Sequence, residues 1–552
     1  MRQGDSYDYI IVGAGSAGCV LANRLTADAG VSVLLLEAGP KDRSIFIHMP
    51  TAFAYPLKDD TYNWYYESEP EPFMDGRRMY CPRGRVLGGS SSINGMVYVR
   101  GHARDYDRWA QAGLAGWSYA EVLPYFKRAE TREIGADDYR GGGGPLHVAT
   151  GACRNPLYRA FIEAGQQAGY PFTEDMNGYQ QEGFGRMDMT IDRGRRCSAA
   201  RAYLRPALAR PNLRVEVRAL TTRVLFEGAR AVGVEYVRGG RTRQARADRE
   251  VVLCGGAINS PQLLMLSGLG PADELRRLGL PVVADLPGVG RNLQDHLETY
   301  VQIECTQPIT LYPSLKPLNK LRIGIDWILF KKGLGATNHF ESGGFIRSNA
   351  AVEHPNLQYH FLPMAISYDA RQLPDRHGFQ AHVGPMRPTS AGHVKLRSAD
   401  PRAHPSILFN YMATENDRQE MREAVRLTRE VFAQKAFDPY RGPEMAPGKA
   451  VQSDAEIDAF IRAKAESAYH PSCTCKMGTD STAVVDAEAR VRGVDALRVV
   501  DASIMPSIVS GNINAPAIML AEKAADMILG RPPLPRLDVP VYAPDGPPKR
   551  TA

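Results

Sequence analysis

At 552 residues, with 44% hydrophobic and 23% charged positions, the chain exceeds one small core and reads as a globular protein of two or more domains. The net charge of +6 is not gathered into Lys/Arg runs, which excludes a nucleic-acid footprint and leaves only a mild attraction to anionic lipid open. No stretch nears the roughly 18 to 20 apolar residues of a membrane span, no signal peptide fits before the first strand, and eight scattered cysteines suit a reducing compartment, so the expected location is the cytoplasm.

Tyr9-Ile10-Ile11-Val12 predicts a strand, Gly13, Gly15 and Gly18 a tight turn, and Ala17 to Thr26 a helix. A second strand, Val31 to Leu36, ends on Glu37. This βαβ unit predicts a dinucleotide site: Gly13 permits the turn, Gly15 admits a pyrophosphate, Gly18 lets helix and strand pack closely, and Glu37 accepts from a ribose. The motif does not separate NAD from FAD. A second glycine-rich stretch, Arg83 to Gly95, carries the apolar anchors Leu87 and Ile93 that a solvated linker lacks, and reads as a cofactor-lining loop.

Val251 to Cys254 predicts a third strand, followed by a helix with Ser260 as N-cap and Pro261 at its first position, stopped by Gly268 and Gly270. Between 306 and 464 strands and helices alternate without glycine fingerprints, as expected of a substrate domain. The tail from Arg531 to Ala552, with seven prolines in 22 residues, is an extended strap or disordered.

Two irregular segments near the C-terminus carry polar groups of specific type: Tyr469-His470-Pro471-Ser472-Cys473-Thr474-Cys475, and Asp501-Ala502 running on to Asn512-Ile513-Asn514. The spacing of His470, Cys473 and Cys475 is not that of a zinc site and no second ligand pair is near, so no metal is expected.

From Tyr7 to about Gly530 the chain resembles the glucose-methanol-choline oxidoreductases. Four blocks carry the likeness: Gly13-x-Gly15-x-x-Gly18 with Glu37, the Gly88-Gly89-Ser90-Ser91-Ser92-Ile93-Asn94 loop, Gly256 to Gln262, and His470 with Asn514. Asn177 to Gly185, Pro405 to Tyr411 and His470 to Gly478 look most like the choline-oxidising branch. The resemblance implies an α/β protein (α+β overall): a Rossmann-like FAD-binding domain from 1–155, 198–305 and 465–535, a substrate domain with a mixed or antiparallel sheet from 156–197 and 306–464, and a tail from 536. It implies His470 as catalytic base and Asn514 as its partner, with cofactor contacts also from Ser16, Ala38, Arg85, Gly95, Val224, Asp501, Ala502 and Asn512. Glu341, Tyr359 and His360 are the expected substrate-pocket residues. Ile93 stands where related choline oxidases carry a flavin-linked His, so FAD is expected to be non-covalent.

The implied reaction is oxidation of a primary alcohol, choline foremost, to the aldehyde and, by a second passage of the hydrated aldehyde, on to the acid, with electrons passed to a respiratory quinone, a dye or oxygen and with peripheral membrane association left open. Uncharged aliphatic or polyether alcohols are the alternative substrates. A hydroxynitrile lyase with structural FAD is the more distant reading.

Overall fold

A computed structural model describes residues 6–366 and 376–544. Two seven-stranded sheets dominate the described residues. The first runs in the order Leu213–Val217, Val33–Glu37, Ser6–Val12, Arg241–Leu253, Arg230–Arg238, Ala219–Glu227, and Leu497–Val499 pairs with Arg241–Leu253. Its buried centre is parallel, and its strands read as continuous apolar runs because both faces are covered, here by the helices Ser16–Leu25, Gly256–Leu266 and Asn514–Ile528. The strand expected at Val251 is the end of a longer one: Arg241 to Arg246 pair antiparallel with Arg230–Arg238 before the chain enters the parallel core.

The helix expected to start at Pro261 spans Gly256–Leu266, with Pro261 inside it. Proline supplies no N–H to the carbonyl four residues back. That carbonyl, on Ala257, instead accepts from Thr474 Oγ1 at 2.7 Å, so an internal proline is tolerated and the His470 segment is tied to this helix. Ser260 is correspondingly no N-cap; its hydroxyl donates to Asp501 Oδ2 at 2.5 Å.

The second sheet is antiparallel, in the order Arg441–Ala446, Leu297–Cys305, Gly378–Pro385, Leu357–Leu362, Ser342–Ile346, Gly183–Arg186, with Glu466–Ser467 pairing with Leu297–Cys305. The helices Pro156–Gln167 and Glu415–Phe432 pack on one face. Alternation then decides which side chains remain for the other face. In Leu357–Leu362 the residues Leu357, Tyr359 and Phe361 enter the core beneath the helices, and His360 and Leu362 point the opposite way.

The tail to residue 544 has no regular structure and is strapped down: Leu534 N–H donates to Tyr125 OH at 3.0 Å, Leu537 N–H to the Ala120 carbonyl at 2.9 Å, and Tyr139 OH to the Pro540 carbonyl at 2.8 Å. The rest of the tail lies outside the described residues. Among the described residues no helix is long and apolar enough to cross a membrane.

Candidate active site

One cavity of about 1290 Å³ runs from the glycine turn to the open face of the second sheet. It exceeds the about 300 to 1,000 Å³ of an ordinary small-molecule site, as a dinucleotide and a substrate together require. At its nucleotide end the three fingerprint glycines do different work. A Cβ on Gly13 would lie 2.5 Å from the Cys254 carbonyl oxygen, and one on Gly18 would lie 1.9 Å from that of Gly13, so both are required by the protein's own packing. A Cβ on Gly15 would meet nothing closer than 3.8 Å. The space above Gly15 is a cradle at a helix N-terminus, open to an incoming anion.

Glu37 closes this end. Ala14 N–H donates to its Oε2 at 2.9 Å and Gly39 N–H to its Oε1 at 2.8 Å, while burial raises its pKa to about 7. A carboxylate offers about four lone-pair positions, which leaves acceptor capacity for ribose hydroxyls. Ser16, Ala38, Gly89, Ser90, Asn94, Gly95, Asp501, Ala502 and Asn512 also line the cavity. The loop carrying Asn94 is clamped from behind by the buried Arg196, whose Nη1 donates to the Asn94 carbonyl at 2.7 Å and to Asn94 Oδ1 at 2.8 Å.

Three expected cofactor contacts are placed elsewhere. Arg85 donates to the Asp60 carbonyl and lies 5.4 Å over the Trp64 ring, outside the cavity. Gly88 supports the turn from behind, its N–H donating to the Ala14 carbonyl at 2.7 Å. Val224 is buried mid-strand, its N–H bonded to Ser267 Oγ, and Ala219, Leu220 and Thr221 line the cavity instead.

At the other end stands His470, which is 8% exposed. Its backbone N–H donates to Asp295 Oδ1 at 2.7 Å, and Tyr411 and Ser467 hydroxyls occupy Asp295 Oδ2, so the loop is held with Tyr469 at a φ of +65°. The ring nitrogens lie in a chain that fixes the proton. His296 Nε2 is 3.0 Å from the Met386 carbonyl oxygen, which only accepts, so Nε2 carries the hydrogen. Burial lowers the His296 pKa to about 4, so the ring is neutral and its Nδ1 is an acceptor. His470 Nδ1, 3.0 Å away, must then donate to it. His470 Nε2 is left with its lone pair on the cavity side. Burial, then His296, His360 and Arg83, hold the His470 pKa well below the ordinary histidine value.

Asn512 Nδ2 lies 3.0 Å from His470 Nε2. Gln358 Nε2 donates to Asn512 Oδ1 at 3.1 Å and so orients the amide with its N–H groups toward the histidine. Asn514, the expected partner, also lines the cavity but is the first residue of the helix Asn514–Ile528, and its Oδ1 accepts from Ser16 Oγ at 2.7 Å. Of the two asparagines it is Asn512 that stands within hydrogen-bond distance of His470.

The substrate side also differs from expectation. His360 lines the cavity, whereas Tyr359 is fully buried against Phe161 and Phe184 on the helix side of the same strand. Glu341 does not line it: its Oε2 accepts from Cys153 N–H at 2.6 Å and its Oε1 from Thr337 Oγ1 at 2.8 Å. An acid that does line the cavity, near His382 and Phe340, is Glu298, 5% exposed, with Tyr300 OH donating to its Oε1 at 3.3 Å and His382 Nδ1 at 3.4 Å. Phe340 completes this corner, its ring centroid 5.5 Å from that of His382. Glu298 and His296 lie in the mixed segment Leu293-Gln294-Asp295-His296-Leu297-Glu298-Thr299-Tyr300-Val301, which carries no motif that marks either residue.

The sequence profile of the GMC oxidoreductase family matches its N-terminal part to residues 7–298 and its C-terminal part to residues 388–521. The chain belongs to the GMC oxidoreductase family. Among curated GMC-type relatives, the mitochondrial choline dehydrogenase of Mus musculus is 61% identical over 549 residues, covering 98% of this chain and 92% of that protein. An oxygen-dependent choline dehydrogenase of Burkholderia multivorans is 60% identical, covering 99% and 97%. A solved structure of Aspergillus oryzae formate oxidase, from work on FAD modification, superposes with a TM-score of 0.90 at 26% identity over 96% of this GMC oxidoreductase and 99% of that chain.

Proposed function

We propose that this GMC oxidoreductase oxidises choline to betaine aldehyde with FAD. The observation that carries the reading is the proton chain Met386–His296–His470, which leaves an unprotonated Nε2 facing the cavity beside Asn512. Oxidising an alcohol removes a proton from oxygen and a hydride from carbon, and bound FAD supplies the hydride acceptor that no side chain can provide. The protein handles the proton. His470 Nε2 takes it from the hydroxyl, a contribution of about 10²- to 10⁴-fold. The imidazolium then formed keeps its Nδ1–H bond to His296. Asn512 Nδ2 donates to the oxygen as negative charge develops there, a fixed dipole that needs no reorganisation.

Glu298 and the Phe340 face supply the charge and the aromatic surface that a quaternary ammonium requires. Names of the 60 to 61% identical relatives point to the same substrate. The residues fit FAD at the other end: Gly15 and the helix N-terminus at the pyrophosphate, Glu37 at the ribose, and the 89–95 loop along the cavity. The flavin is held without a covalent bond, since Ile93 occupies the linking position, and acid denaturation followed by filtration should leave the filtrate yellow. All eight cysteines are free, which supports a reducing compartment such as the cytoplasm. Electrons leave to a respiratory quinone or, in the assay, a dye; oxygen, named for the Burkholderia relative, is the competing acceptor.

The test is anaerobic mixing with choline. Bleaching of the yellow absorbance at a rate matching dye-linked turnover supports the assignment. A flavin that stays oxidised removes it and leaves a lyase in its place.

A further inference from the structure

The open face of the second sheet carries a row of polar side chains. Leu297–Cys305 and Gly378–Pro385 pair antiparallel in a register that sets Tyr300 opposite His382 and Gln302 opposite Gln380. Alternation sends Val301, Ile303, Phe379, Ala381 and Val383 into the core beneath the helices, so Glu298, Tyr300, Gln302, Gln380 and His382 share the other face. Glu298 and His382 line the cavity, whereas Gln302 and the fully buried Gln380 do not.

The direction of the hydrogen bonds along this row is decided at its far end. Ile366 N–H donates to Gln380 Oε1 at 2.8 Å, and Gln302 Nε2 donates to the same oxygen at 2.8 Å. A backbone N–H only donates, so the Gln380 amide is turned with its Nε2 toward His382, whose Nε2 lies 2.7 Å away. His382 Nε2 therefore accepts, and the ring hydrogen sits on Nδ1, 3.4 Å from Glu298 Oε1. The other tautomer would set a nitrogen lone pair against that carboxylate oxygen. Packing holds the ring in place: Tyr300 meets it edge-on with centroids 4.4 Å apart, and Phe340 does so at 5.5 Å.

Taking Glu298 as the partner of the substrate's cation, we infer that His382 is a positioning residue for choline: Gln380 fixes its hydrogen on Nδ1, and His382 in turn aims the Glu298 carboxylate at the quaternary ammonium. The preference for choline then depends on Gln380, a residue outside the cavity. The test is the ratio of kcat/KM for choline to that for its neutral tert-butyl analogue, expected on the order of 30-fold in wild type. Gln380→Glu keeps an acceptor for Ile366 and Gln302 but presents a carboxylate oxygen to His382 Nε2, which takes a hydrogen there and makes the ring a cation beside Glu298. That internal cation competes with the ammonium, and the ratio should fall to about threefold or less. His382→Phe keeps a ring without the donor and should lower the ratio to a similar extent, through KM for choline more than through kcat. His382→Asn returns an N–H at the Nδ1 position and should recover the ratio to about tenfold. In a Glu298→Gln background His382→Phe should change the ratio by less than about twofold, because a residue that acts through Glu298 has nothing left to act on. Flavin content and Tm, measured on every variant, report folding. The inference is overturned if Gln380→Glu and His382→Phe keep the wild-type ratio, if His382→Asn falls as far as His382→Phe, or if the effects of Glu298→Gln and His382→Phe add. A Glu298→Gln enzyme with the wild-type ratio overturns the reading of Glu298 and the inference with it, and a flavin that choline does not bleach overturns the choline assignment.

Discussion

His296 Nδ1 and His470 Nδ1 face each other at 3.0 Å, two neutral imidazoles of which only one can carry the proton between them. The Met386 carbonyl on the far side of His296 assigns that proton to His470. Replacing His296 by Leu removes the acceptor and frees the tautomer. We expect kcat/KM to fall by about tenfold or more with flavin content unchanged, since the loss is one of orientation. His470→Ala should lose about 10²- to 10⁴-fold, again with flavin retained. Equal flavin and near-wild-type turnover in both variants would remove the proton chain from the mechanism.

Asn512→Ala should lower kcat more than it raises KM, because its donor acts on charge that develops during the reaction. Asn514→Ala should act on stability or flavin content through its bond with Ser16, and comparing kcat between the two variants decides which asparagine serves the chemistry.

Glu298→Gln should narrow the preference for choline over its neutral tert-butyl analogue. The preference itself is expected at on the order of 30-fold, from desolvated cation recognition of about 2 kcal/mol. Glu341→Gln should leave that ratio unchanged and lower Tm instead, since its carboxylate bonds Cys153 N–H and Thr337. The reverse result would return the charge-recognising role to Glu341.

Gly15→Ala should fold with a Tm near that of wild-type apoprotein and yet bind little FAD. Its Cβ meets the protein at no less than 3.8 Å and would intrude only on a pyrophosphate. Gly13→Ala and Gly18→Ala should lose stability, because their Cβ atoms would lie 2.5 Å and 1.9 Å from backbone oxygens. Thermal melts and flavin absorbance on the three variants separate the two effects.

Acid should weaken both function and fold. His102 and His296 are lowered to about 4 by burial, against an ordinary value near 6.5. The unfolded chain binds their protons below 6.5 and the folded one does not. Their contribution is therefore whole above about pH 6.5 and declines as pH falls toward 4, by roughly 3 kcal/mol for each fully titrated site. His470, also lowered, stays unprotonated through neutral pH, so the acid limb of kcat/KM should lie below 6.5. A limb at or above 7 would contradict the burial of this base.

The glycine fingerprint, the acid at the end of the second strand and the loop that borders the cavity were legible in the sequence, because each depends on a local property: a turn that admits no side chain, a strand of continuous apolar residues, or small residues anchored by apolar ones. His470 was singled out by the family resemblance and not by any local property. The partners of His470 were not legible. His296 lies 174 positions away, and Asn512 is distinguished from Asn514 only by where the last helix begins, which turns one amide to His470 and the other to Ser16. Tyr359 and His360 are neighbours in sequence, and only the packing of helices on one face of the sheet decided that the first is core and the second cavity. Glu298 lines the cavity from the strand Leu297–Cys305, whereas Glu341 precedes the strand Ser342–Ile346 and is held away from the cavity by Cys153 N–H and Thr337. A strand's alternation gives two faces, but which face meets a cavity is a property of the assembled layers, because it depends on what the other elements leave uncovered.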